Sequence, residues 1–237
     1  MSEKHKQKMK AVGFDYGNTL TWSGKPLNWQ QFYPEALTAA LQTTGADITP
    51  EKLQAGAIIL LKYNTRVNNR DWEVTSDTIF TELFAAWGIT TRSTLKPAKD
   101  AFYSFFFTKT EVFPETESVL KELKKKNIKI GVLSNTAYGA DKEYLIGSTP
   151  QINQYYDVCL ASTEVGFRKP HAAGFLQLLQ ALQVQADDCL FVGDEPVDVI
   201  GANKTGMVSV LINRSGEKRD YGQKYTISSL TEILELV

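Results

Sequence analysis

Apolar positions along this chain change their spacing twice. Residues 10–15 read Lys-Ala-Val-Gly-Phe-Asp, a short apolar run that ends in an acid and leads into a Gly/Asn turn. From about residue 22 to residue 107 apolar side chains recur instead at i, i+3 and i+4, the period of one helix face. That spacing predicts four helices, over 31–44, 50–65, 72–87 and 94–107, with Gly45 and Gly88 as stops. After Pro114 compact apolar runs alternate with amphipathic stretches. They predict a helix over 117–126, a strand over 128–133, a helix over 139–146 and a strand over 157–161. A helix over 172–182, a strand over 189–192, a helix over 197–205 and a strand over 208–212 follow, then a terminal helix over 229–236. Strands alternating with helices imply βαβ units, and hence a parallel sheet covered on both faces.

The first apolar run belongs with the later strands, so the helical block interrupts an α/β domain. The predicted fold is a Rossmann-like parallel-sheet core, residues 1–22 and 109–237, with an inserted α-helical cap, a four-helix bundle over residues 23–108. No Pro/Gly-rich linker marks the joints, so short hinges are expected around 22–28 and 108–113.

Composition narrows the function classes. The 237 residues are 43% hydrophobic and 22% charged, an ordinary globular balance. Lys and Arg number 26 against 27 Asp and Glu, a net charge of -1, which argues against a general nucleic-acid partner. No apolar run approaches the ~20 residues that span a bilayer, so no membrane partner is expected. Cys159 and Cys189 are too few for a disulfide framework or a four-thiolate zinc site, and His5 and His171 too few for a multi-histidine centre. Both cysteines read as buried strand residues and His171 as a helix start. The lysine-rich stretch 1–10 is followed by no secretory apolar segment. It reads as a solvated tail, with the cytoplasm as the default location.

Ligands of an open parallel sheet bind beyond the carboxyl ends of its strands. The first predicted strand ends at Asp15, followed by Tyr16-Gly17-Asn18-Thr19; the second ends at Ser134-Asn135. After the third come Arg168-Lys169-Pro170, and the fourth ends at Gly193-Asp194-Glu195, with Asp198 one turn on. Two acids, a hydroxyl and a lysine at one sheet end suit phosphoryl transfer. A carboxylate can act as nucleophile. Neighbouring carboxylates repel unless a cation such as Mg²⁺ lies between them. A hydroxyl and a lysine can hold the phosphoryl oxygens, over which transition-state charge spreads. Walker and dinucleotide glycine motifs are absent.

These segments resemble the four motifs of the haloacid dehalogenase-like (HAD) superfamily, in the subgroup with a helical cap between motifs one and two. Phe14-Asp15-Tyr16-Gly17-Asn18-Thr19-Leu20 is similar to the first motif and Val132-Leu133-Ser134-Asn135 to the second. Glu164 to Pro170, with Phe175, is similar to the third, and Phe191 to Asp198, with Gly201-Ala202 and Gly206-Met207, to the fourth. The resemblance implies a Mg²⁺-dependent phosphatase of a small phosphorylated metabolite. It implies Asp15 as nucleophile and metal ligand, Asp194 and the Gly17 carbonyl as further ligands, and Asp198 tuning the metal directly or from behind. Ser134 and Lys169 would bind phosphate, Lys169 would stabilise Asp15, and Asn135 would orient the site.

The chain departs from that pattern at Gly17, where the family's phosphatases usually carry a second acid that protonates the leaving group and activates water. A positioned acid/base contributes ~10²–10⁴-fold. Another group such as Thr21, Glu195 or a cap residue supplies the proton, or the substrate has a good leaving group, or the protein binds phosphate esters with little turnover. A metal-independent haloacid dehalogenase is the other alternative; there an aromatic stands two residues past the nucleophile, whereas Tyr16 stands one past it. Trp22, Trp29, Tyr63, Arg66 and Arg70 are the candidate specificity positions.

Overall fold

The computed structural model describes residues 9–24 and 28–237. Most of the expected N-terminal tail, His5 included, and part of the first expected hinge lie outside the described residues.

Strand β1 (Ala11–Phe14) is wholly buried. The chain then turns into a two-residue strand, β2 (Thr21–Trp22), and four helices follow: α1 (Tyr33–Gln42), α2 (Pro50–Tyr63), α3 (Ser76–Trp87) and α4 (Leu95–Phe107). Strand β3 (Glu111–Val112) returns antiparallel to β2, with Thr21 opposite Val112. The expected hinges are therefore tied together by a short ribbon. Next come α5 (Thr116–Lys125), β4 (Lys129–Ser134), α6 (Lys142–Gly147), α7 (Pro150–Asn153), β5 (Val158–Ala161) and α8 (Ser162–Val165). The chain continues through α9 (Ala172–Leu182), β6 (Cys189–Gly193), α10 (Pro196–Lys204), β7 (Val208–Ile212) and β8 (Tyr225–Ile227).

Six strands form one parallel sheet in the order β5-β4-β1-β6-β7-β8. Phe14 pairs with Val132 on one side and Val192 on the other, so the carboxyl ends of β1, β4 and β6 lie side by side. The connections diverge at β1, which makes its end a topological switch point. One face of the sheet packs Val12, Ile130 and Leu190 against Val119, Leu120 and Leu123 of α5. The other packs Phe191 and Leu133 against Phe175, Leu178 and Leu182 of α9.

The inserted helices have a core of their own, built on Leu37, Leu60, Phe80, Leu83, Phe102 and Phe106. Gly88 ends α3 in the left-handed conformation (φ 70°), which a glycine adopts without penalty. Tyr138, from the loop after β4, enters this core: its hydroxyl bonds that of Tyr33 (2.6 Å) and its carbonyl accepts from Tyr103 (2.6 Å).

Two expectations are corrected. The helix predicted over 72–87 begins only at Ser76, because Trp72 forms a backbone bridge with Phe167 and Thr75 caps the helix through Thr78 N (3.3 Å). The terminal helix is a 3-10 segment, Leu230–Glu235. Its buried residues, Leu230 and Ile233, are three apart, the period of that helix. The edge strand β8 was not predicted, since three residues exposed at two positions carry no alternation to detect.

Candidate active site

Asp15 is the first residue beyond β1, and its amide donates to the Val192 carbonyl (2.8 Å). The next residue, Tyr16, points into the core: its hydroxyl donates to the Leu145 carbonyl (2.9 Å) and bonds Thr149. Asn18 takes the left-handed conformation (φ 55°), one asparagine tolerates better than most residues. The Tyr16 carbonyl accepts from the amides of Leu20 and Thr21 (3.0 and 3.1 Å) and from Thr21 Oγ1 (3.2 Å). The turn is thus fixed by its own backbone, and Asp15 is left at the mouth of the sheet.

Lys169 Nζ lies 2.5 Å from Asp15 Oδ1 and 2.6 Å from Asp198 Oδ1. Asn135 holds the backbone beneath it, accepting from Lys169 N (2.8 Å) and donating to Lys169 O (3.1 Å). Asn135 thus supports the backbone of Lys169 while also lining the cavity. Asp194 follows β6, and Thr19 Oγ1 donates to it (3.4 Å). Asp198 stands in the first turn of α10, where Oδ2 accepts from Glu195 N (3.0 Å). Gly193 is needed for that placement: a Cβ there would fall 2.3 Å from Asp198 Cγ.

Carboxylate oxygens of Asp15, Asp194 and Asp198 lie within 4.8 Å of one another. Burial pushes the Asp15 carboxyl well above the carboxylate range, Lys169 opposes this, and Asp198 and Asp194 add to it. Burial, with Asp198 and Glu195, pushes Asp194 up to about 7. Burial also works against the charge of Lys169, but Asp15 and Asp198 outweigh it and hold the ammonium above the lysine range. Three acids thus share one buried ammonium. The donor set fits a hard divalent cation, which takes oxygen ligands and would relieve the repulsion.

A cavity of about 230 Å³ opens over these groups. Ser134, at the end of β4, lines it with Asp15, Lys169 and Asp194. The cavity is also lined by all five candidate specificity residues, Trp22 from β2 and Trp29, Tyr63, Arg66 and Arg70 from the insert. Arg66 makes a two-point ion pair with Glu195 (2.6 and 3.1 Å).

Sequence reasoning missed what joins the insert to the site. The Glu73 carboxylate accepts from Arg168, from Ser162 Oγ (2.6 Å), from Arg70 (3.3 Å) and from Val74 N (2.9 Å). Arg168 also donates to the Thr136 carbonyl (2.8 Å), and its amide donates to Asp71 O (2.7 Å). The loop that carries Lys169 is therefore sewn to the insert. Glu73 and Arg168 stand 95 residues apart, and nothing in the local pattern of either points to the other. His171 accepts from Ala173 N (3.2 Å) and stacks on Phe167, so it caps α9 as expected.

A three-layer α/β sheet with an acid, a lysine and a second acidic pair at its switch point defines a class of hydrolase core. The family model described as haloacid dehalogenase-like hydrolase matches residues 9–206, and the chain belongs to that family. It is 29% identical to a glyceraldehyde 3-phosphate phosphatase of Methanothermobacter thermautotrophicus, over 95% of this chain and 100% of that protein. It is 32% identical to a phosphatase of Mycobacterium tuberculosis, a match that spans 52% of this chain and 56% of that protein. Among solved structures, the fold is shared with a HAD phosphatase of Thermococcus onnurineus (TM-score 0.66, 23% identity, 96% of this chain and 97% of that one). It is shared equally with a 2-haloacid dehalogenase of Pseudomonas syringae (TM-score 0.67, 22% identity, the same 96% and 97%).

Proposed function

We propose that the protein is a Mg²⁺-dependent phosphatase of a small phosphorylated metabolite. The observation that carries this reading is the convergence of Asp15, Lys169 and Asp194 at one sheet end beneath a cavity. The full-length likeness to a named phosphatase supports it. Asp15, Asp194 and the Gly17 carbonyl would hold the cation. Asp198, with one oxygen on Lys169 and the other on Glu195 N, acts from behind. When bound there, Mg²⁺ offsets carboxylate charge and polarises phosphoryl oxygens.

The chain's own residues do the rest. A buried carboxylate beside an ammonium is poised to attack phosphorus through an oxygen of Asp15. The Lys169 ammonium and the Ser134 hydroxyl hold phosphoryl oxygens as charge develops on them. The insert, residues 23–108, serves as the cap of a core made of residues 1–22 and 109–237, and keeps bulk water from the aspartyl-phosphate. The cytoplasm, where small phosphorylated metabolites are held, is the compartment that fits this reading.

The test is phosphate release from an aryl phosphate, with and without Mg²⁺, in the wild type and in Asp15→Asn. Metal-dependent turnover that falls to background in Asp15→Asn is expected. Halide release from a 2-haloacid without metal would replace this reading with the dehalogenase, and tight phosphate-ester binding without turnover would replace it with a binding module.

A further inference from the structure

An alkyl phosphate expels an alkoxide about as basic as hydroxide, so its cleavage needs a proton at the bridging oxygen. Gly17 has no side chain to give one, and a Cβ built there meets nothing within 4 Å, so the space beside Asp15 is open. The other proton-bearing groups of the cavity are spent elsewhere. Thr21 Oγ1 donates to the Tyr16 carbonyl (3.2 Å). The Tyr63 hydroxyl donates to Glu82 Oε1 (2.5 Å), and that of Tyr138 is shared with Tyr33 (2.6 Å). Both oxygens of Glu195 accept from Arg66, so its carboxylate is turned to the guanidinium. The Lys169 ammonium is committed to Asp15 and Asp198, and guanidinium groups do not release protons. Asp15, Asp194 and Asp198 form the cluster assigned to attack and cation binding. Among the described residues lining the cavity, what remains are aliphatic hydroxyls, amides and the indoles of Trp22 and Trp29, which are weaker acids than the alkoxide needs.

We infer that the substrate is an anhydride-type phosphate, an acyl phosphate or a phosphoanhydride, whose leaving group departs as a weakly basic anion without a proton. The inference rests on the phosphatase reading above. An oxygen of Asp15 forms a bond to phosphorus as the bridging oxygen–phosphorus bond breaks. The electron pair of that bond stays on the departing carboxylate or phosphate. Water then attacks phosphorus, the aspartyl oxygen–phosphorus bond breaks back to the Asp15 carboxylate, and the proton lost by water leaves with the inorganic phosphate or to solvent.

The experiment measures kcat/KM with Mg²⁺ for acetyl phosphate, inorganic pyrophosphate, substituted phenyl phosphates and glycerol 1-phosphate. Activity should fall steeply as the leaving group becomes more basic. Acetyl phosphate or pyrophosphate should exceed glycerol 1-phosphate by ~10³-fold or more, the size of a missing acid. Whichever of the two is faster distinguishes acyl phosphate from phosphoanhydride. Gly17→Asp should raise turnover of glycerol 1-phosphate by ~10²-fold or more, while Gly17→Asn, of the same size but without an acidic proton, should not. Asp15-dependent cleavage of glycerol 1-phosphate within ~10-fold of the anhydrides overturns this inference and leaves the phosphatase reading standing. Equal gains in Gly17→Asp and Gly17→Asn also overturn it, since size and not a proton would then be the cause. No Asp15-dependent phosphate release from any member of the series removes both.

Discussion

Asp15 sits where burial and its neighbours pull in opposite directions. Burial favours its neutral form, and the Lys169 ammonium in contact with it favours its charge. Its position was legible because it ends an apolar run, as Ser134 and Asp194 do. Glu73 was not legible, because a glutamate in the first turn of a predicted helix is an unremarkable surface residue until the fold brings Arg168 to it. The two cysteines give a prediction at the same scale. Burial pushes the thiol of Cys159 up to about 11 and that of Cys189 up to about 12. Raised values mean that both stay protonated near neutral pH. Iodoacetamide should therefore label the folded protein slowly at pH 8, and faster only as the pH nears 11. By the same sign, the stability these thiols confer is complete below the ordinary value of 9.0 and is lost as pH rises through about 11 and 12. Mass spectrometry of timed alkylations checks this, and rapid labelling of Cys189 at pH 8 would contradict it.

Elements decide where these residues point. The end of β6 and the first turn of α10 approach so closely that Gly193 leaves no room for a methyl group beside Asp198. Gly193→Ala should cost ~1–3 kcal/mol by overpacking, and should also lower activity by moving Asp198 away from Lys169. Gly17→Ala, with open space around its Cβ, should change stability by no more than ~0.5 kcal/mol. Paired urea unfolding curves for the two variants make the comparison, and equal losses would show that the contact at Gly193 is relaxed elsewhere. Most helices and strands were legible, since amphipathic period and strand-like runs are local properties. The β2–β3 ribbon was not, since two-residue strands have no period and exist only because the two joints of the insert meet.

The whole molecule is held across its two cores by a few buried polar contacts. The Glu73 and Arg168 side chains are 1% and 8% exposed, so neither charge can turn to water if the other is removed. Glu73→Gln should therefore destabilise the fold by ~3–5 kcal/mol, read from denaturant unfolding. A loss below ~1 kcal/mol would show that the helical insert stays docked without this ion pair. Tyr138 adds a second fastening, with its ring in the insert and its backbone in the loop after β4. Among the described residues no helix is long and apolar enough to cross a membrane.

The linear sequence by itself determined the alternation of strands and helices, the run of helices between the first two strands of the sheet, and the acids and lysine at the strand ends. These follow from local hydrophobic period and from the rule that parallel strands present their carboxyl ends to ligands. Only the tertiary structure decided which groups remain able to act. It spends Asn135 on the backbone of Lys169, Glu195 on Arg66 and Tyr63 on Glu82, and it leaves the space at Gly17 open. The physical reason is that a hydrogen-bond partner is a matter of distance in space. Buried donors and acceptors must be paired, and whichever groups the packing brings within reach become the ones they pair with.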